Sequence, residues 1–120
     1  VNGLRVAAAW PDAPRPVLAD DLLPERALQG EVEARRQLVE EVYVPLLNAG
    51  SPLLDTLSVY LEHASSLEAT ARMLFVHPNT VRYRLSRIAE LTGRVPSDGR
   101  GFFVLRVAVA LGRLSEDGEG

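Results

Sequence analysis

The chain has 120 residues, 47% hydrophobic and 24% charged, with a net charge of −3. That composition suits one compact globular domain and excludes disordered, collagen-like and coiled-coil chains. With no cysteine, disulfides, thiolate chemistry and cysteine-based zinc sites are excluded, and His63 and His77 alone make no metal site. No apolar run approaches the ~20 residues that cross a bilayer, so no membrane partner is expected.

No secretory signal pattern is visible, and the chain starts at Val1 without a methionine. We therefore expect a processed product or a piece of a longer protein, with a cytoplasmic setting as the default. Leu4, Val6, Ala8 and Trp10 alternate with Arg5, Ala7 and Ala9, which is the period of a half-buried strand. Three prolines between Pro11 and Pro16 end it, and the sequence offers it no second strand as a partner. We read residues 1–16 as the last strand and linker of an upstream domain, with an unstructured or helix-packed arm as the alternative.

Residues 17–50 read as a helical connector. A short helix is expected from Asp21 to Gly30, with Asp at its start and Gly at its end. A longer one follows from Glu31 to Val44, where Val32, Leu38, Val39, Val42 and Leu46 recur at helical spacing. Pro45 should kink or end it, because proline lacks the donor and its ring meets the preceding turn. Asn48, Gly50, Ser51 and Pro52 mark the clearest boundary in the chain.

Residues 51–120 read as four helices. Ser51 is the expected N-cap of the first, with Pro52 at its first position and Leu54, Leu57, Leu61 and Ala64 as its apolar stripe. Ser65 and Glu68 have the spacing of a capping box for the second, which turns Leu67, Ala71 and Leu74 inward. After a break at Phe75, Val76 and His77, the third helix starts at Pro78. It runs to about Thr92, with Gly93 in the left-handed terminal position. Residues 96–101 form a loop, and the last helix, 101–114, is apolar nearly all round, so it must bury in the core or against a second copy.

Residues 65–94 carry five arginines against Glu68 and Glu90, a basic segment inside an otherwise acidic chain. Two short helices three residues apart, the second one basic, make a helix-turn-helix candidate. The turn position that usually carries glycine is Phe75, and a bulky residue tolerates positive φ poorly. A turn one residue longer than the commonest type is therefore expected.

Helical geometry orients the third helix. With Val81 at 0°, Leu85 falls near ~40° and Ile88 near ~340°, the buried face. Asn79, Tyr83 and Ser86 fall between ~140° and ~200° on the outer face, with Arg82 near ~100° and Arg87 near ~240° beside them. Amides and hydroxyls suit base edges, and guanidinium groups suit phosphates or guanine. Arg84, near ~300°, lies closer to the core, where packing or an ion pair is the alternative to a DNA contact. A solvated helix face and a plain packing unit are the bland alternatives for the whole pattern.

The run Leu74-Phe-Val-His-Pro-Asn-Thr-Val-Arg-Tyr-Arg-Leu-Ser-Arg-Ile88, followed by Leu91-Thr-Gly93, resembles the C-terminal helix-turn-helix of PucR/CdaR-type bacterial transcriptional regulators. That helix pair is similar in turn to the Fis DNA-binding unit. Ala19–Leu28 and Val42–Leu46 resemble the segment that precedes the domain in the family, so the resemblance covers about residues 16–114. Gly99-Arg-Gly-Phe-Phe103 departs from the acidic entry usual for the last helix, which leaves that helix's start open. The resemblance implies a missing upstream sensory domain.

The expected fold is mainly α: a helical bundle containing a Fis-like helix-turn-helix, with a leftover N-terminal β-strand ahead of it. The expected function is sequence-specific binding of double-stranded DNA, with no catalysis, metal or cofactor. The candidate DNA-binding residues are His77, Pro78, Asn79, Thr80, Arg82, Tyr83, Arg84, Ser86 and Arg87. Thr80 and the flanking arginines suit phosphates, and His77 suits a cap, a phosphate, or both. A homodimer through the C-terminal helix, with Val107 and Leu111 at its seam, is the expected assembly. The alternative is a helical dimerisation or protein-interaction module that does not contact DNA. Asp20 and Asp21 read as helix-start residues and not metal ligands. Gly99 and Gly101 are not a phosphate loop, because no strand precedes them and Val104 stands at the third glycine position.

Overall fold

The computed structural model describes residues 22–119, with side chains to residue 116. The strand expected at Leu4–Trp10, the linker after it, and Asp20 and Asp21 lie outside the described residues. Every regular element among the described residues is helical.

Helix α1 spans Leu23–Leu28, with Pro24 in its first turn and Gly30 beyond its end at φ 96°. Helix α2 follows as one rod in three parts: Val32–Leu38, a π-helical turn Val39–Tyr43, and Val44–Asn48. Pro45 does not end it. The Val44 N–H reaches back five residues to the Val39 carbonyl, and that widened turn accommodates the proline ring. The helix then resumes, with Ala49 N–H donating to the Pro45 carbonyl at 3.1 Å. Val32, expected on the apolar stripe, is 79% exposed, whereas Leu38, Val42 and Leu46 are buried.

Helix α3 spans Ser51–Glu62. Its N-cap is Gly50 at φ 109°, not Ser51, which becomes the first helical residue with Pro52 second. That φ strongly favours glycine. Leu54, Leu57 and Leu61 turn inward as expected, but Ala64 does not extend the stripe. It sits in the left-handed region, as does Ser65, at φ 52° and 69°. Those two residues reverse the chain, which moves the cap of helix α4 (Leu67–Leu74) from Ser65 to Ser66. Ser66 has the extended backbone an N-cap needs, and its Oγ accepts from Ala69 N–H at 3.1 Å.

Helix α5 spans Pro78–Thr92 and ends on Gly93 at φ 73°, as its local signals predict. Helix α6 spans Gly99–Glu119, starting earlier and running further than its apolar stretch indicated. Asp98 opens it by accepting from Gly101 N–H at 2.9 Å.

One core joins α1, α2, α3, α5 and α6. Leu23, Ala34, Leu38, Val42 and Leu46 pack with Leu54, Leu57, Ile88, Val104, Leu105 and Ala108, so α6 is buried by its own chain. Val107, expected to face a second copy, is buried in this core, while Leu111 packs only at its margin. Two polar ties reinforce the core. Arg100 pairs with Glu25 in a forked contact, Nη2 to Oε1 at 2.7 Å, fastening α6 to α1. The Tyr43 hydroxyl donates to Glu116, and burial together with that carboxylate pushes its pKa up.

Candidate nucleic-acid interface

Helix α5 takes its orientation from the residues beneath it. Val81 and Ile88 are fully buried and Leu85 is partly so, which is the inner face that helical geometry gives. The opposite face is then forced outward. Asn79, Arg82, Tyr83 and Ser86 are exposed, Tyr83 at 65%.

The start of α5 is locally fixed. The His77 ring caps it, Nδ1 accepting from Asn79 N–H at 3.0 Å, with Pro78 at the position where a missing N–H is harmless. His77 is exposed and Thr80 partly so, both at this end of the helix. Arg82 Nη1 donates to Asn79 Oδ1 at 2.7 Å. That bond ties together two residues that sequence geometry treated separately, and it leaves the Asn79 amide N–H groups as outward donors.

Arg87 donates through Nη1 to Glu90 at 2.6 Å on the exposed side of α5. Such a pair is worth only about 0–1 kcal/mol, so the guanidinium can exchange it for a phosphate at little cost. Arg84 is placed differently from the other candidates. It is partly buried and donates through Nη1 to Thr56 Oγ1 of α3 at 3.2 Å. Thr56 is fully buried and in turn donates to the Pro52 carbonyl at 2.7 Å. Arg84 therefore braces α5 against α3 and does not join the outer face. Sequence reading missed Thr56; its position four residues after Pro52, where a hydroxyl can bond back along a helix, was the available signal.

The turn between α4 and α5 keeps three residues and is not lengthened. Phe75 itself adopts the left-handed conformation, φ 59° and ψ 44°. Val76 N–H donates to the Ala71 carbonyl at 3.0 Å and Phe75 N–H to that of Arg72 at 3.3 Å, which closes the helix end in a Schellman arrangement.

Residues 53–111 match the PucR C-terminal helix-turn-helix domain. An uncharacterized protein of Mycobacterium tuberculosis is 52% identical over 115 residues, which cover 96% of this chain and 28% of that protein. The purine catabolism regulatory protein of Bacillus subtilis is 47% identical over 62 residues, 52% of this chain and 12% of that protein. The crystal structure of a regulator of polyketide synthase expression from Bifidobacterium adolescentis superposes with a TM-score of 0.89 at 48% identity, covering 95% of this chain and 46% of that one. The chain thus spans less than half the length of these relatives. A bundle whose basic helix stands outward on a buried footing, with residues 53–111 matching that domain, shows that the chain carries a PucR-type C-terminal helix-turn-helix domain.

Proposed function

We propose that the chain binds double-stranded DNA sequence-specifically through α5, as the output domain of a PucR-like regulator. It would act in the cytoplasm, with no catalytic step, under an upstream sensory domain. The observation that carries this reading is the outer face of α5, where Asn79, Arg82 and Tyr83 stand exposed while Val81 and Ile88 anchor the helix from behind. Asn79 and Tyr83, with Ser86, are proposed to face base edges. Arg82, Arg87, Thr80 and His77 are proposed to face phosphates, with Pro78 setting the helix start between them. Arg84 holds the helix in place.

A salt titration tests these roles on a duplex selected by the chain from a random library, with a scrambled duplex alongside. Arg87→Ala is expected to weaken both duplexes and to reduce the salt slope by roughly 0.9 per lost phosphate contact. Asn79→Ala is expected to cost about 1–3 kcal/mol on the selected duplex alone. The reverse pattern overturns the assignment of roles. A chain that retains no duplex at low salt overturns DNA binding altogether and favours the interaction module.

We propose also that two copies pair, because one small module buries only ~600–1,000 Å² on DNA and a dimer reads two half-sites ~34 Å apart. Val107 is spent inside the core, so the seam moves outward on α6. There Leu114, 66% exposed, and Leu111 line a shallow apolar groove with Val32 and Val39 of α2. Arg36 and Glu40 border it, and a patch carrying both signs can meet itself across a two-fold axis. Leu114→Glu is expected to shift sedimentation from dimer to monomer and to weaken binding to a two-half-site duplex without changing binding to a single half-site. A wild-type chain that sediments as a monomer while bound to the two-half-site duplex overturns this pairing.

A further inference from the structure

The turn before α5 holds a side chain that the fold does not use. Phe75 is 94% exposed, and its backbone lies in the left-handed region at φ 59°. Glycine is the ordinary occupant of that position in a helix-closing turn. An L-residue with a bulky side chain is strained there, because its Cβ crowds the backbone. Phe75 incurs that strain without the usual return, because almost none of its ring is buried. Strain of this kind, at an exposed residue, calls for a contact made outside the chain.

The position of the turn limits what that contact can be. Three residues separate α4 from Pro78, so the Phe75 backbone lies within about 10–11 Å of the start of α5 by the reach of the chain. The two hydrogen bonds of the Schellman closure fix its backbone and hence the direction of its Cβ. A separate shallow groove is lined by Arg72, Phe75, Val76, His77 and Pro78, with Glu68 at its α4 side. The ring therefore shares its groove with His77 and Pro78 at the start of α5, one residue before Asn79 in the chain. Met73 is the other exposed large apolar residue at this end of α4.

We propose that Phe75 is part of the DNA-contacting surface, its ring packing on the apolar edge of the duplex, a thymine methyl or a deoxyribose, next to the base faced by Asn79. This rests on the reading of α5 given above. An aromatic ring brings 150–250 Å² of apolar surface. That area is far below the ~1,200 Å² of a stable protein interface, so Phe75 with Met73 is too small to dock a protein by itself. It is the right size to add to an interface that other residues already anchor. The local charge agrees, since residues 65–94 are net positive and Arg72 stands exposed beside the ring. Phenylalanine contacts to the thymine methyl are a known form of groove readout, and apolar rings also pack against base steps.

The test compares stability with affinity in the 120-residue chain. Phe75→Gly relieves the backbone strain, so its urea midpoint is expected to rise. Its affinity for the selected duplex is expected to fall about tenfold, as half-burial of a phenylalanine is worth. Its salt slope should stay unchanged, because no phosphate contact is lost. A residue with a purely structural role would move stability and binding in the same direction. Phe75→Tyr keeps the ring and is expected to bind within twofold of wild type. Uracil in place of each thymine of the selected site separates the two apolar edges. If the ring meets a methyl, one substitution weakens the wild type but not Phe75→Gly; if it meets a deoxyribose, none does while the tenfold loss remains. Unchanged affinity in Phe75→Gly, with Asn79→Ala still sensitive, overturns the role of Phe75 alone. Absence of any duplex binding by the wild type overturns it together with the reading of α5.

Discussion

Gly101→Ala is expected to destabilise the fold by about 3 kcal/mol or more, read as a lowered urea midpoint. A Cβ at this position would lie 2.1 Å from the Val95 carbonyl oxygen and 2.8 Å from its carbon. The obstacle is backbone, so no rotamer change relieves it, and either the 93–98 loop or the first turn of α6 has to move. Alanine gains about 1 kcal/mol of helix propensity over glycine, which is too little to offset such a clash. Gly112→Ala meets a similar limit, because its Cβ would fall 2.2 Å from the Tyr43 ring. That ring is buried and its hydroxyl is held by Glu116, so it has little room to swing aside. If Gly101→Ala unfolds at the wild-type midpoint, the close approach of α6 to Val95 is wrong.

Ile88→Ala is expected to cost about 2–5 kcal/mol, a large fraction of the 5–15 kcal/mol that holds a domain of this size. Ile88 is fully buried in the common core and forms, with Val81, the footing of α5. Alanine keeps the helix, so the loss comes from transfer and cavity terms, and the urea midpoint should fall at an unchanged slope. Below that midpoint the outer face of α5 is intact, and the salt slope on the selected duplex should match the wild type. A loss of affinity at full occupancy of the folded state would mean that the cavity tilts the helix.

The parts of the interface legible in the sequence are those written in neighbouring residues. Pro78 and Gly93 bracket α5 because one tolerates the first turn and the other the left-handed end, and both signals are local. The inner and outer faces of α5 follow from 100° per residue, and the structure buries Val81 and Ile88 accordingly. The helical class follows in the same way from apolar spacing.

Features set by distant or competing partners were not legible. Two adjacent serines can each cap α4, and only the chain reversal at Ala64 and Ser65 selects Ser66. Proline normally closes a helix, but a π turn lets α2 run through Pro45. Arg84 meets Thr56 across 28 residues of sequence, a contact no periodicity encodes. The apolar α6 had to be buried somewhere, and packing against α1, α2 and α3 placed Val107 inside the chain and left Leu114 outside. The sequence by itself thus determined which segments are helices and which face of each is apolar, because backbone hydrogen bonding and hydrophobic periodicity act within a few residues. Only the tertiary structure decided which apolar faces meet, which arginine braces α5 and which stand outward. It also showed that the strained turn leaves Phe75 exposed, because these depend on competition for a single core.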